Sequence, residues 1–250
     1  MVNDILVEIC CGSFLDALEA EKAGADRIEL NSSLFFGGLT PSAGTIAKVK
    51  EEVSIPCMVM IRPRGIGFCY TEEELSAMER DIDIALDLGA DGFVFGVLNE
   101  DSTIDINACK RLIKRCGDRE IMFHRAFDVV PNPIEALDII IDLGFHRILT
   151  SGQAKNSYEG IAFLKQIIER SKGQIEILPG GGIRSHNVVE ICERTGCTQV
   201  HLGPLRKVLE RSSLYNPEIK FLPSELPRED SYEIVDREVV EEIVRLVKHR

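Results

Sequence analysis

Leu88-Gly89-Ala90-Asp91-Gly92-Phe93-Val94-Phe95-Gly96 is the stretch on which the fold turns. A glycine after a helical segment stops the helix, a polar residue turns the chain, and a short apolar run continues as a strand. Nearly the same phrase returns as Ala23-Gly24-Ala25-Asp26-Arg27 and as Leu143-Gly144-Phe145-His146-Arg147. Outward from these three, short runs rich in Val, Ile and Phe alternate with longer segments of helical period. The candidate strands cover residues 5–11, 27–31, 57–62, 92–98, 121–128, 147–152, 175–180 and 199–203. Their starts fall 22 to 35 residues apart, room for one strand, one helix and two turns. Such alternation predicts a parallel sheet, and eight units predict closure into an α/β fold, the (β/α)8 TIM barrel.

Punctuation supports the helices. Thr40-Pro41 reads as a cap with proline at the first helical position. Thr71-Glu72-Glu73-Glu74 reads as a capping box opening a helix that runs toward Leu88. Residues 204–236 hold four prolines and many charges, too long a stretch for an ordinary loop. They are expected to form a surface excursion, with a tail element or dimer arm as the alternative. Residues 237–250 then supply the eighth helix, with Val239, Val240, Ile243, Val244, Leu246 and Val247 at helical spacing. The 250 residues are expected to form one domain, residues 1–250.

Composition narrows the function. The 29 Lys and Arg against 41 Asp and Glu give a net charge of −12, with no basic cluster to meet a duplex, so nucleic acid is not an expected partner. A 44% hydrophobic content is too apolar for disorder, and no apolar run reaches the roughly 20 residues of a membrane helix. Met1-Val2-Asn3-Asp4 enters a strand-like segment without a secretory leader. The 8 cysteines form no Cys-x-x-Cys pair, although Cys10 and Cys11 are adjacent and Cys192 and Cys197 lie five apart. Reduced, mostly buried thiols in a cytoplasmic protein are expected.

In a closed parallel barrel, functional groups collect at the carboxyl ends of the strands. Side chains alternate along a strand, so Glu8 and Cys10 share a face, as do Arg27, Glu29 and Asn31, and Met58, Met60, Arg62 and Arg64. By the same rule His124, Ala126 and Asp128 share a face opposite Phe123, Arg125 and Phe127. Charged groups inside apolar strands are costly unless paired. Glu8, Glu29, Arg62, His124 and His201 fit that description and are expected to meet at one mouth, either as a catalytic set or as a structural ion-pair network. Arg27 and Arg147 begin their strands and belong to the opposite end, as solubility or salt-bridge residues.

Two loops suit an anion. Gly180-Gly181-Gly182 follows the seventh strand ahead of a helix, where barrels often hold phosphate. Arg62-Pro63-Arg64-Gly65 offers two guanidinium forks, and Thr150 and Ser151 end the sixth strand with hydroxyls. A small anionic or phosphorylated substrate would be held there while Glu8, Glu29 or His124 moved protons. Cys10, Met58, Met60, His124 and His201 are donors that suit copper(I), although the two methionines also read as core filling.

Together these motifs resemble the CutC family. The resemblance is carried by Glu8-Ile9-Cys10, Gly24-Ala25-Asp26-Arg27-Ile28-Glu29-Leu30, Gly37-Gly38-Leu39-Thr40-Pro41-Ser42, Met60-Ile61-Arg62-Pro63-Arg64-Gly65 and Gly89-Ala90-Asp91-Gly92. Phe123-His124-Arg125-Ala126-Phe127-Asp128, Ile148-Leu149-Thr150-Ser151-Gly152 and Leu178-Pro179-Gly180-Gly181-Gly182 complete it. The resemblance implies a cytoplasmic (β/α)8 barrel, often a homodimer, with a role in copper homeostasis and copper(I) as its proposed ligand. Cys10 matches one proposed copper position, while Asn31 stands where some members have a second cysteine.

Overall fold

The structure is a computed structural model and describes residues 5–216, 218–221 and 229–248. The first four residues, the middle of the expected excursion and the last two positions of the expected eighth helix lie outside the described residues.

Eight strands form one parallel sheet: β1 (Leu6–Cys11), β2 (Arg27–Leu30), β3 (Cys57–Met60), β4 (Gly92–Phe95), β5 (Glu120–Phe123), β6 (Arg147–Thr150), β7 (Glu176–Pro179) and β8 (Gln199–Leu202). Each strand neighbours the next in sequence, and β8 returns to lie beside β1. The last seam, between β7 and β8, is closed by a parallel bridge from Gly180 to His201. The chain is therefore a (β/α)8 TIM barrel, with helices α1 (Phe14–Lys22), α2 (Ala43–Glu52), α3 (Glu72–Asp87), α4 (Ile106–Arg115), α5 (Pro133–Asp142), α6 (Ile161–Ser171), α7 (Val188–Thr195) and α8 (Arg237–Lys248). None of the described helices is long and apolar enough to cross a membrane.

Local chemistry explains the boundaries. Gly24, Gly89 and Gly144 all take positive φ just past a helix, as the repeated phrase requires. The capping box at Thr71 is present, with Glu74 returning a bond to the Thr71 amide. The cap expected at Thr40 moves two residues on: Ser42 Oγ accepts from the Thr45 amide, while Thr40 bonds the backbone of Arg62. Thr40 is used to tie β3 to the preceding loop, which leaves the next hydroxyl to cap.

Alternation decides what each side of the sheet buries. Outward residues such as Val7, Ile9, Ile28, Val59, Phe93 and Phe95 meet the helices in the main core. Inside, Met58, Met60, Val94, Met122, Leu149 and Leu178 fill one part of the lumen, so the two methionines serve as core. The remaining lumen is polar.

The excursion begins as an antiparallel ribbon of β9 (Leu205–Leu209) and β10 (Ser231–Val235). Its base is fastened inside the molecule: the buried carboxylate of Asp16 on α1 accepts from the Val235 amide at 2.7 Å and the Gly12 amide at 2.9 Å.

Candidate functional site

Register brings the first cluster together. Glu8 lies beside Arg27 on β2 and beside His201 on β8, and Cys10 lies beside Glu29. Glu8 is completely buried. Arg27 Nε donates to one carboxylate oxygen, and His201 Nδ1 lies 2.7 Å from the other. Burial alone would raise this carboxyl, yet the Arg27 charge and the His201 bond bring it down to about 2. His201 is raised instead: burial would lower it, but Glu29 and Glu8 outweigh that.

Arg27 is thus buried in the lumen, and a solubility role is excluded. Its Nη2 donates to Gln199 Oε1 at 2.8 Å, Gln199 donates to Glu176 at 2.8 Å, and Arg147 joins Glu176 to Glu120. This chain of charges crosses the barrel floor. The salt-bridge expectation for both arginines holds, and it takes Glu8 out of the proton-moving set: a fully buried carboxylate held by two partners is a structural anion.

Above it sit Cys10, Glu29 and Asn31. Asn31 Nδ2 donates to Glu29 Oε2 at 2.8 Å and contacts Cys10 Sγ at 3.5 Å. The Cys10 thiol donates to Glu29 at 3.7 Å. Burial and then Glu29 push that thiol well up, and burial likewise raises Glu29. One ligand atom each from Cys10, Glu29 and His201 lie within 4.8 Å of one another, a set that could hold a metal ion. Cys11 points to the other side of β1, into the core.

A second cluster lies next to the first, past the end of β3, the strand beside β2. Arg62 Nη1 donates to the carbonyls of Phe36 and Gly38, and its guanidinium lies 5.1 Å from the centre of the Phe68 ring. The His124 ring stacks on the same phenylalanine at 4.9 Å. Burial, reinforced by Arg62, lowers His124 to about 3, so its imidazole is neutral. Its Nδ1 accepts from the Ala126 amide at 3.2 Å, which places the proton on Nε2. These contacts sort the five charged residues into two groups, Glu8, Glu29 and His201 in one and Arg62 and His124 in the other.

Two expectations change because β3 and β5 end earlier than the apolar runs, and a third because its hydroxyls already have a partner. Past Phe123 the chain turns into a 3-10 helix, Arg125–Val129, so alternation stops and Asp128 does not share a face with His124. Asp128 instead accepts from the Thr150 and Ser151 hydroxyls and the Ser151 and Gln153 amides. Thr150 and Ser151 are spent on that carboxylate. Arg64, past the end of β3, pairs with Glu74 and the Ile66 and Cys69 carbonyls, away from the mouth.

The glycine loop is also displaced from its expected setting, because α7 starts only at Val188. Gly180 donates to the Thr150 carbonyl, and Gly181 and Gly182 take φ of +102° and +73°. A side chain on Gly181 would meet the Arg125 guanidinium at 3.4 Å. Arg125, which pairs with Asp128 at 2.7 Å and Ser151 at 3.0 Å, therefore lies beside the glycine loop, a placement that strand alternation did not give. Phe68 was missed as well; an aromatic directly after a loop glycine, Gly65-Ile66-Gly67-Phe68, was the available signal.

Fold and clusters together define a (β/α)8 barrel whose carboxyl-end mouth carries buried, ligand-ready polar groups. The sequence model of the CutC family matches residues 5–205, and the chain belongs to that family. It is 49% identical over 247 residues to a CutC family protein of Treponema denticola, with 99% of each chain covered. It is 47% identical over 199 residues to the human copper homeostasis protein cutC homolog, covering 80% of this chain and 73% of that one. The crystal structure of a CutC copper homeostasis protein from Streptococcus agalactiae superposes with a TM-score of 0.76 at 38% identity, covering 79% of this chain and 98% of that one.

Proposed function

We propose that this protein serves copper homeostasis in the cytoplasm and holds one copper(I) at the barrel mouth. The role is the one named for the human and streptococcal relatives. The observation that carries the site is the approach of Cys10, Glu29 and His201 ligand atoms to within 4.8 Å. Sulfur and imidazole suit copper(I); a carboxylate is a harder donor and would serve as the charge beside the ion. The eight cysteines carry no disulfide, as a reducing compartment keeps them. Anaerobic titration of the reduced protein with copper(I) against a chromogenic chelator tests the reading. Cys10→Ser is expected to weaken the affinity at least tenfold, and an unchanged affinity rejects Cys10 as the ligand.

A second reading, a barrel enzyme acting on a small anionic or phosphorylated substrate, is favoured by the unbonded Nε of Arg62 and Nε2 of His124 and by Arg125 poised at Gly181. Arg62 and His124 face the mouth, and Glu29, raised by burial, is the carboxyl suited to exchanging a proton with a ligand. Inorganic phosphate ordered against Arg125 and Gly181 in a soaked crystal would support this reading; Arg125→Gln binding phosphate as well as the parent would count against it.

A further inference from the structure

Among the described residues, six buried side-chain polar atoms have no hydrogen-bond partner, and four of them belong to side chains joined by one arc of contacts through Gly38 and Phe68. They are Glu29 Oε1, Asn31 Oδ1, Arg62 Nε and His124 Nε2. Each belongs to a side chain more than nine-tenths buried, with 2, 1, 6 and 4% exposure in that order. Folded proteins rarely leave such atoms unsatisfied, and a convergent group of them marks a place for a bound molecule.

The four are physically contiguous. Asn31 packs on Gly38 with Oδ1 nearest, so a side chain there would have no room and one edge of that oxygen is covered, and the Gly38 carbonyl accepts from Arg62 Nη1 at 3.1 Å. Arg62 lies over Phe68, and Phe68 carries His124. Their remaining capacities are also sorted. Arg62 spends Nη1 on the Phe36 and Gly38 carbonyls and keeps Nε–H. His124 spends Nδ1 on the Ala126 amide and keeps Nε2–H. Glu29 spends Oε2 on Asn31 and keeps Oε1, while Asn31 spends its amide nitrogen on Glu29 and Cys10 and keeps Oδ1. One side of the arc therefore offers two donors, one of them cationic, and the other offers two acceptors.

We propose that this arc binds a small hydroxy- or aminocarboxylate, with its carboxylate on Arg62 Nε–H and His124 Nε2–H and its hydroxyl on Glu29 Oε1, or its amine on both Glu29 Oε1 and Asn31 Oδ1. The carboxylate matches a cation and a neutral donor side by side. The two oxygens need a group that carries hydrogen, which the alkyl chain of propionate or a plain fatty acid lacks. Burial of all four side chains restricts the molecule to a few heavy atoms. This inference rests on the small-anion reading above and narrows it to one substrate class; it makes no use of copper.

Calorimetric titration of the full, metal-free chain with glycolate, L-serine, propionate and inorganic phosphate tests it. Glycolate or L-serine is expected to bind at least tenfold more tightly than propionate. Arg62→Lys retains an ammonium for the Phe36 and Gly38 carbonyls but removes Nε–H; His124→Asn retains an acceptor for the Ala126 amide but removes Nε2–H. Each is expected to weaken binding at least tenfold, and His124→Gln, with a donor in the Nε2 position, to recover part of the loss. If Arg62→Lys does not fold, the two His124 variants carry the comparison. Phosphate binding without glycolate or L-serine overturns this inference and leaves the small-anion reading intact. Glycolate binding that ignores both substitutions also overturns it, and no binding by any of the four probes overturns both readings.

Discussion

Glu8 and His201 sit side by side on neighbouring parallel strands, with His201 Nδ1 2.7 Å from Glu8 Oε1 and the carboxylate wholly enclosed. Arg27 closes the other side of the same carboxylate. The lumen of this barrel is therefore divided between an apolar methionine-rich part and an ion-paired part, and only the groups above the ion pair remain available to a ligand.

That arrangement predicts a steep cost for removing one partner. Arg27→Met leaves a buried carboxylate with His201 alone, and breaking a buried pair in this way costs about 3–5 kcal/mol. Urea unfolding of the variant measures it. A loss below about 1 kcal/mol would show that the pair is not buried as described.

A pH effect follows from His124. Its folded-state value of about 3 lies below the ordinary 6.5, so the native imidazole stays neutral where the unfolded one takes a proton. Stability is complete above pH 6.5 and falls as pH drops through that window toward 3, by at most about 1.4 kcal/mol per unit. Arg62 is the charged group that adds to the effect. The Glu8 contribution is lost only below its ordinary 4.5, as pH falls toward about 2. The raised His201 adds stability as pH falls toward its ordinary 6.5, so the His124 effect is read as a difference. Between pH 7.5 and 5 the unfolding midpoint is expected to shift less toward instability in His124→Gln than in the parent, and equal slopes would reject the assignment.

The turn that delivers Ser151 to Asp128 depends on close backbone packing. A Cβ on Gly160 would collide with the Ser151 carbonyl, which cannot move aside without breaking the turn. Gly160→Ala is expected to cost more than about 3 kcal/mol in unfolding free energy. Gly44→Ala on α2, whose nearest neighbour would lie 3.9 Å away, is the control and is expected within about 1 kcal/mol of the parent.

Asp16 anchors the ribbon. Asp16→Ala strips two buried amides, those of Gly12 and Val235, of their acceptor. A loss of about 2–3 kcal/mol is expected, with faster hydrogen exchange at Val235 than in the parent. Unchanged exchange there would separate the ribbon base from Asp16.

The eight strands, the glycine helix stops, the Thr71 box and the residues Glu8, Cys10, Glu29, Arg62 and His201 were legible in the sequence. Periodicity, caps and stranded charges are local signals, and eight consecutive strand–helix units of similar size favour closure into a barrel. Nothing local told Glu8 from Glu29, although one is a locked anion and the other keeps an open oxygen. That difference comes from register, which sets Arg27 and His201 against Glu8 and leaves Glu29 with Asn31. Nor could alternation place Arg125, Asp128, Thr150 and Ser151, because it applies only while the backbone is extended, and β5 ends at Phe123. The chain's own order of residues thus determined the barrel and which groups reach its mouth; only tertiary packing decided which of them neutralise one another and which stay unpaired, since partners 19 to 193 residues apart are chosen by strand register and burial.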